Sequence, residues 1–245
     1  MSVNIGQNLD NAKISIIIPT LNEGSNIEVA IASTQSGTNI EVIVVDGGST
    51  DNTVEIAQNL GVKVISSSPG RATQMNAGAA VASGDILLFL HADTRLPTDF
   101  DVLIRTNLQK TGTVAGAFGL RIDADEWGLR LVEWGVKWRS QLWQMPYGDQ
   151  AIFLTKAIFH QVGNFPQLPI MEDFELISLL KKQGKITIVN VPVLTSARRW
   201  LKKGIFQTTL INQIVIIAYF LGIPPQKIRA WYRRERLSKN SSCEK

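Results

Sequence analysis

The residues able to do chemistry stand at the ends of apolar runs. Ile86-Leu87-Leu88-Phe89-Leu90 leads straight into His91, Ala92 and Asp93. Such a run, set between Gly84-Asp85 and Pro97, reads as a central strand buried on both faces, and ligands of open α/β sheets sit beyond the carboxyl ends of those strands. A carboxylate there can bind a divalent cation, and the cation can hold two phosphate oxygens in octahedral coordination. Asp93 is therefore the first candidate, its plainer alternative being a turn residue leading into Thr94 and Pro97. Glu23, Asp46 and Asp51 follow earlier apolar runs in the same way. Asp46 could accept an imide N–H from a nucleotide base, with Gly47 and Gly48 letting the ring approach the backbone. Arg71, opening a helix after Gly70, suits a diphosphate, because guanidinium and free helix N–H groups both favour anions. The competing readings make Asp46 a turn residue and Arg71 a solvated charge. Asp173, in Met171-Glu172-Asp173, begins a helix and is either a general base or simply that helix's cap.

These groups need strands and helices to hold them. Lys13 to Pro19, Glu41 to Val45, Lys63 to Ser66 and Ile86 to Leu90 read as strands. Helical spacing separates them over about 26–34, 52–60 and 71–81, with Gly37, Gly61 and Gly84 as stops. Strands alternating with helices predict right-handed crossovers and a mostly parallel sheet. Further on, Val114 to Ile122 reads as a strand weakened by glycines, 126–143 as an amphipathic helix, and Ala151 to Leu154 as a short strand. Helices follow over about 156–162 and from 169–175 to Gln183, then a last strand, Ile186 to Val193. Trp127, Leu131, Trp134, Trp138 and Leu142 recur at helical spacing and are expected to pack on the core, although rings in such a row can also stack on a sugar or lipid.

Charge and composition bound the function. The chain of 245 residues carries a net charge of +4 that is unevenly spread: residues 1–197 hold 14 Lys/Arg against 19 Asp/Glu, while residues 198–239 hold ten Lys/Arg against one Glu. The acidic body lacks a base-reading motif, so no nucleic acid partner is expected. Ile205 to Ile223 is interrupted by Gln207, Thr208, Thr209, Asn212 and Gln213, which predicts an amphipathic helix lying on an anionic membrane or on the domain rather than a span. Met1 to Ala12 does not read as a secretory signal, and Cys243 is the single cysteine, so the expected location is cytoplasmic, with peripheral contact on the inner face of the cell membrane. Neither a dinucleotide glycine fingerprint nor a P-loop occurs.

Taken together, Ile14 to Glu23, Val42 to Thr53, Arg71 with Asn76, Phe89 to Thr94, and Met171-Glu172-Asp173 resemble the motifs of family 2 glycosyltransferases, in the family's order and over about residues 13–200. Gly148-Asp149-Gln150-Ala151, Arg198-Arg199-Trp200 and the short length resemble the small bacterial branch labelled arsenosugar-biosynthesis or selenodomain-associated. The resemblance implies a GT-A fold, a Rossmann-like three-layer α/β/α arrangement with a mostly parallel central sheet, plus a C-terminal amphipathic helix. It divides the chain into a flexible N-terminus (1–12), a glycosyltransferase domain (13–200) and a basic helical tail (201–245).

It also implies an inverting, metal-dependent transfer of a sugar from a nucleotide donor, a UDP-sugar, to a small-molecule or lipid-linked acceptor, with a homodimer left open. Pro19, Leu21, Glu23, Asp46, Arg71, Asn76 and Ala92 would line the nucleotide, and Asp93 would hold Mg2+ or Mn2+. His91 stands where the family's Asp-x-Asp has its first carboxylate, and would serve as a ligand or ribose contact. Asp173 matches the general base. Glu172, Tyr147, Asp149, Gln150, Arg199 and Trp200 would lie on the acceptor side. Two alternatives compete: a binding module impaired in catalysis, which His91 favours, and a sugar-phosphate nucleotidyltransferase, whose Gly-rich basic loop after the first strand is missing.

Overall fold

The computed structural model describes residues 9–240, with side chains described as far as Tyr232. Residues 1–8 of the expected flexible N-terminus, Cys243, and the side chains from residue 233 onward lie outside the described residues. The described part of that N-terminus is packed: Leu9 is buried in the core and Ala12 lies against it.

The first half follows the expected alternation. Strands β1 (Ile14–Thr20), β2 (Ile40–Asp46), β3 (Lys63–Ser66) and β4 (Ile86–Phe89) alternate with helices α1 (Ile27–Ala32), α2 (Thr53–Asn59) and α3 (Arg71–Val81). After them come β5 (Thr94–Arg95), α4 (Phe100–Leu108), β6 (Thr113–Asp123), α5 (Trp127–Trp143), β7 (Ile152–Thr155) and α6 (Lys156–Gln161). The chain continues through α7 (Glu172–Lys181), β8 (Lys185–Ser196), α8 (Arg198–Lys203), α9 (Ile205–Phe220) and α10 (Pro225–Asn240). Among the described residues the strands form one sheet in the order β3-β2-β1-β4-β7-β6-β8-β5. β1 to β4 are mutually parallel and β6 is parallel to β8, whereas β7 runs antiparallel between β4 and β6, as does β5 along β8.

Burial on both faces explains the continuous apolar runs. Ile14, Ile16 and Ile18 of β1 enter one core layer and Ile17 the other, and β4 divides likewise between Leu88 and Leu87. β1 pairs with β2 so that Thr20 stands opposite Asp46, and with β4 so that Ile17 stands opposite Phe89. The carboxyl ends of three strands are thereby gathered along one edge.

Two expectations about helices are corrected. The aromatic stripe of α5 is not core: Trp127, Leu131, Trp134, Trp138 and Leu142 are exposed, and the helix buries Leu129 and Ser140 instead. Its inward side is partly polar because backbone groups wait there. Glu133 accepts the Ile122 N–H at 2.6 Å, and Arg139 donates to the Met145 carbonyl at 3.0 Å. In the tail, α9 is apolar on two faces rather than one. It buries Ile211 and Val215 against Phe174 and Met171, yet leaves Phe206, Leu210, Ile217 and Phe220 exposed. No described helix is long and apolar enough to cross a membrane.

Candidate active site

Asp46 is buried at the tip of β2, and its carboxylate accepts the N–H groups of Gly48 at 2.9 Å and Ser49 at 3.0 Å. It thus performs the turn role outright while ending the strand where a base would lie. Beneath it sits Gln74 of α3, which sequence reasoning missed. Its amide donates to the Thr20 carbonyl at 2.7 Å and the Val45 carbonyl at 2.8 Å, locking two strand ends together. A Cβ on Gly47 would crowd the Gln74 amide at 3.1 Å. The available signal was a polar residue on the face shared by buried Ala72, Met75 and Ala79.

The loop after β1 is bound to the loop after β2. Asn22 N–H donates to Ser49 Oγ at 2.8 Å, Thr50 N–H to Asn22 Oδ1 at 2.8 Å, and Gly24 N–H to Asp51 Oδ2 at 3.1 Å. The Thr53 hydroxyl bond, helped by Gly24 and Thr53 N–H groups, holds the Asp51 carboxyl below its usual range. Pro19 is partly buried and Leu21 exposed along this edge. Glu23 receives the Arg198 guanidinium at 2.9 and 3.1 Å.

Beyond β4, Asp93 is half-buried and its carbonyl accepts the Ser196 N–H at 3.0 Å. Burial pushes its carboxyl up and the Glu23 charge adds to this, while Arg198 and Arg71 oppose. His91 Nε2 is shielded from solvent with no hydrogen-bond partner among the described residues. Burial, with Arg71 nearby, drives its imidazole down to about 3, so the ring is neutral and one of its nitrogens has a lone pair to give.

Asp173 stands in the first turn of α7, which follows Met171 in a left-handed conformation (φ 69°). Its Oδ1 accepts the Phe174 N–H at 2.8 Å and its Oδ2 accepts the Gly148 N–H at 2.8 Å. A Cβ on Gly148 would lie 3.1 Å from His91 Nε2 and 3.2 Å from Asp173 Oδ2. The tip of β4 and the start of α7 therefore face each other across one glycine, a proximity invisible from 80 residues of separation. Glu172 is buried, 3.5 Å from Arg71, and burial pushes its carboxyl up. Asp149 Oδ1 is shielded and unpartnered among the described residues; burial raises its carboxyl, Arg139 opposes, and Asp173 raises it further. Arg139 lies 3.5 Å from the centre of the Tyr147 ring.

Five of the expected site residues are engaged in structural contacts. The Asn76 amide exchanges hydrogen bonds with both backbone groups of Phe165, at 2.8 and 3.0 Å, stapling the loop after α6. Ala92 lies in the apolar core. Gln150 spends both ends of its amide on structure, donating to the Phe118 carbonyl at 2.9 Å and accepting from Ser140 at 2.9 Å. Arg199 bonds Asn212 and Tyr232 and thus fastens α8 to α9 and α10. Trp200 is buried with Ile122 and Leu129. Arg198, not Arg199, reaches the site, and the adjacent pair of arginines gave no means to choose between them.

The donor set can be tested against a divalent ion. Among the described residues no group of three His, Cys, Asp or Glu side chains could hold a metal by itself. The neutral His91 nitrogen and the Asp93 carboxylate fit an ion whose remaining positions are filled by substrate phosphates and water, the mode in which magnesium is usually held.

Known proteins resemble this chain in family model and in fold. Residues 15–165 match the family model described as Glycosyl transferase family 2. A search of curated protein sequences finds no match. Among solved structures, the mannosyltransferase PcManGT from Pyrobaculum calidifontis, in complex with GDP-Man and Mn2+, is similar with a TM-score of 0.60 and 18% identity, over 76% of this chain and 56% of that one. S. aureus TarS 1-349 in complex with UDP gives 0.59 and 16%, over 75% and 60%. Glucosyl-3-phosphoglycerate synthase from Mycobacterium tuberculosis, with Mn2+, UDP and phosphoglyceric acid, gives 0.59 and 21%, over 90% and 82%. The chain thus spans little more than half the length of the first two. At such identities the likeness is one of fold, and the fold is GT-A.

Proposed function

The chain belongs to glycosyl transferase family 2, and from that premise we propose an inverting, metal-assisted transfer of a sugar from a uridine diphosphate donor to a hydroxyl of a small or lipid-linked acceptor. The observation that carries this reading is that Asp46 and the end of β4, which leads into His91 and Asp93, share the carboxyl edge of the parallel strands, and that Gly148 bridges His91 to Asp173 at the start of α7. In the proposed division, residues 13–200 perform the transfer and 201–245 form a tail that makes peripheral contact with an anionic membrane. Gly148 to Ala151, Arg198 to Trp200 and the short length support the small bacterial branch named above.

Each step follows from a group already described. The base lies against Asp46 and the turn it holds; the diphosphate lies toward Arg71 at the start of α3. His91 and Asp93 would hold the divalent ion, Mg2+ or Mn2+, which when bound supplies positive charge to the leaving diphosphate. Asp173 takes the proton of the acceptor hydroxyl as its oxygen bonds to the anomeric carbon and the bond to the diphosphate breaks on the opposite face. Asp149, with an unpartnered oxygen, holds an acceptor hydroxyl beside Tyr147 and Glu172.

The test is a panel of UDP- and GDP-sugars with Mn2+ or Mg2+, following release of the nucleoside diphosphate and the anomeric configuration of the product by NMR. Metal-dependent turnover of a UDP-sugar with inversion supports the proposal. Retention would overturn the base assignment, stabilisation without turnover of any donor would favour a binding module, and the absence of any nucleotide effect would overturn the reading altogether.

A further inference from the structure

α5 and α9 together leave a larger apolar surface in solvent than the transfer reaction uses. Trp127, Trp134, Trp138 and Trp143 of α5 are 78, 61, 50 and 68% exposed, and Phe206 and Phe220 of α9 are 85 and 69% exposed. The two helices touch where a Cβ on Gly128 would lie 3.4 Å from Ile205. Patches of this extent are rare on chains that remain free in water.

Charge selects the occupant. Lys137, Lys202 and Lys227 are exposed on α5, α8 and α10. Among the described residues of α5, α8, α9 and α10 up to Tyr232 the only acid is Glu133, which turns inward to the Ile122 N–H, while Asp125 and Glu126 are exposed just before Trp127. A second copy docked symmetrically on this face would find carboxylates only at the end beside Trp127, and none on the described side chains of α8, α9 and α10. Indole rings beside lysines match the headgroup layer of an anionic bilayer, where tryptophan is enriched and each cation gains from the surface potential.

We propose that the exposed faces of α5 and α9 dock on an anionic lipid surface, so that the acceptor is an amphiphile presented from that surface. The acceptor clause rests on the glycosyltransferase reading; the docking clause does not. α9 connects the docking face to the site: Phe174 of α7 packs its ring 5.5 Å from Tyr219 and 5.3 Å from Phe220, one residue beyond Asp173. Tyr147 and Met171 lie against the same helix cluster. An amphiphile seated along α9 therefore brings its polar end to the start of α7.

The experiment is flotation of the full chain with phosphatidylcholine vesicles, with and without phosphatidylglycerol, together with tryptophan emission. Expected are flotation only with the anionic vesicles, a blue shift of the emission, and release by salt. A Trp134→Ser/Trp138→Ser variant, altered only at exposed positions, is expected to partition roughly tenfold more weakly or worse, and Lys137→Glu/Lys202→Glu to lose the preference for anionic lipid. Both are expected to keep the thermal shift given by UDP with Mn2+, so failure of docking and failure of the nucleotide reading are told apart. Absence of flotation on anionic vesicles, unchanged flotation of the tryptophan variant, or a dimer in solution that this variant abolishes would each overturn the proposal.

Discussion

Asp173→Asn separates the two roles that one carboxylate plays. Both of its oxygens accept backbone N–H groups at 2.8 Å, from Phe174 within α7 and from Gly148 across the site. Asparagine keeps one acceptor and turns an NH2 toward the other N–H, so one charge-assisted bond, worth about 1.5–3 kcal/mol, is lost. Loss of negative charge in the first helical turn adds about 0.3–1 kcal/mol. A cost of about 2–4 kcal/mol lowers the melting midpoint of a chain this size by about 4–16 °C. As a cap, then, the residue is moderately replaceable. As a base it is not, since an amide cannot take the proton, and removing a general base typically slows turnover about 100- to 10,000-fold. The assay is UDP release from the donor, measured well below the variant's midpoint, alongside UDP affinity in the presence of Mn2+. Expected is a large fall in kcat with affinity nearly unchanged. Turnover within about threefold of the native chain would show that the carboxylate only holds the helix and Gly148, and would refute the base assignment.

Gly148→Ala places a methyl 3.1 Å from His91 Nε2 and 3.2 Å from Asp173 Oδ2, so turnover is expected to fall roughly 100-fold through misplacement of the base, more than the melting midpoint suffers; equal activity would mean the two groups need not face each other. At Glu41, burial favours the neutral acid, but bonds from the Ser15 hydroxyl and Ser83 and the charge of Lys13 outweigh it and hold the carboxyl down to about 2, against an ordinary 4.5. A depressed carboxylate stabilises fully above its unfolded value and loses that contribution as pH falls from 4.5 toward 2. Glu41→Gln is therefore expected to flatten the acid limb of the melting-midpoint profile, and an unchanged limb would count against it. Arg199→Ala removes the bonds to Asn212 and Tyr232 and is expected to cost about 1–2 kcal/mol of stability while leaving UDP affinity intact; a large loss of affinity would return Arg199 to the site.

The parallel half of the molecule was legible because its signals are local. β1 and β4 announce themselves as runs of Ile and Leu, and the glycines after α2 and α3 mark helix ends. The antiparallel β7 was not legible in its pairing, since Ile152 finds Phe89 across a long separation and no residue type encodes that direction. α4 was overlooked even though Phe100, Ile104 and Leu108 recur every fourth position. α5 shows a different difficulty. Helical spacing tells which side chains share a face, but here the tryptophans share the outward one, because the inner one must satisfy backbone groups through Glu133, Arg130 and Arg139. In the site, strand-tip acids were found since a strand must end somewhere, whereas Gln74 and Arg198 act through partners that only the fold brings near.

The central claim is that a nucleoside diphosphate is held at the strand tips through a cation on Asp93. Anomalous scattering from Mn2+ in crystals grown with UDP measures it directly. The expected result is a single peak at coordination distance, about 2.0–2.3 Å, from Asp93 and the two phosphates. UDP bound with its phosphates away from Asp93, or a Mn2+ peak elsewhere on the surface, would contradict it.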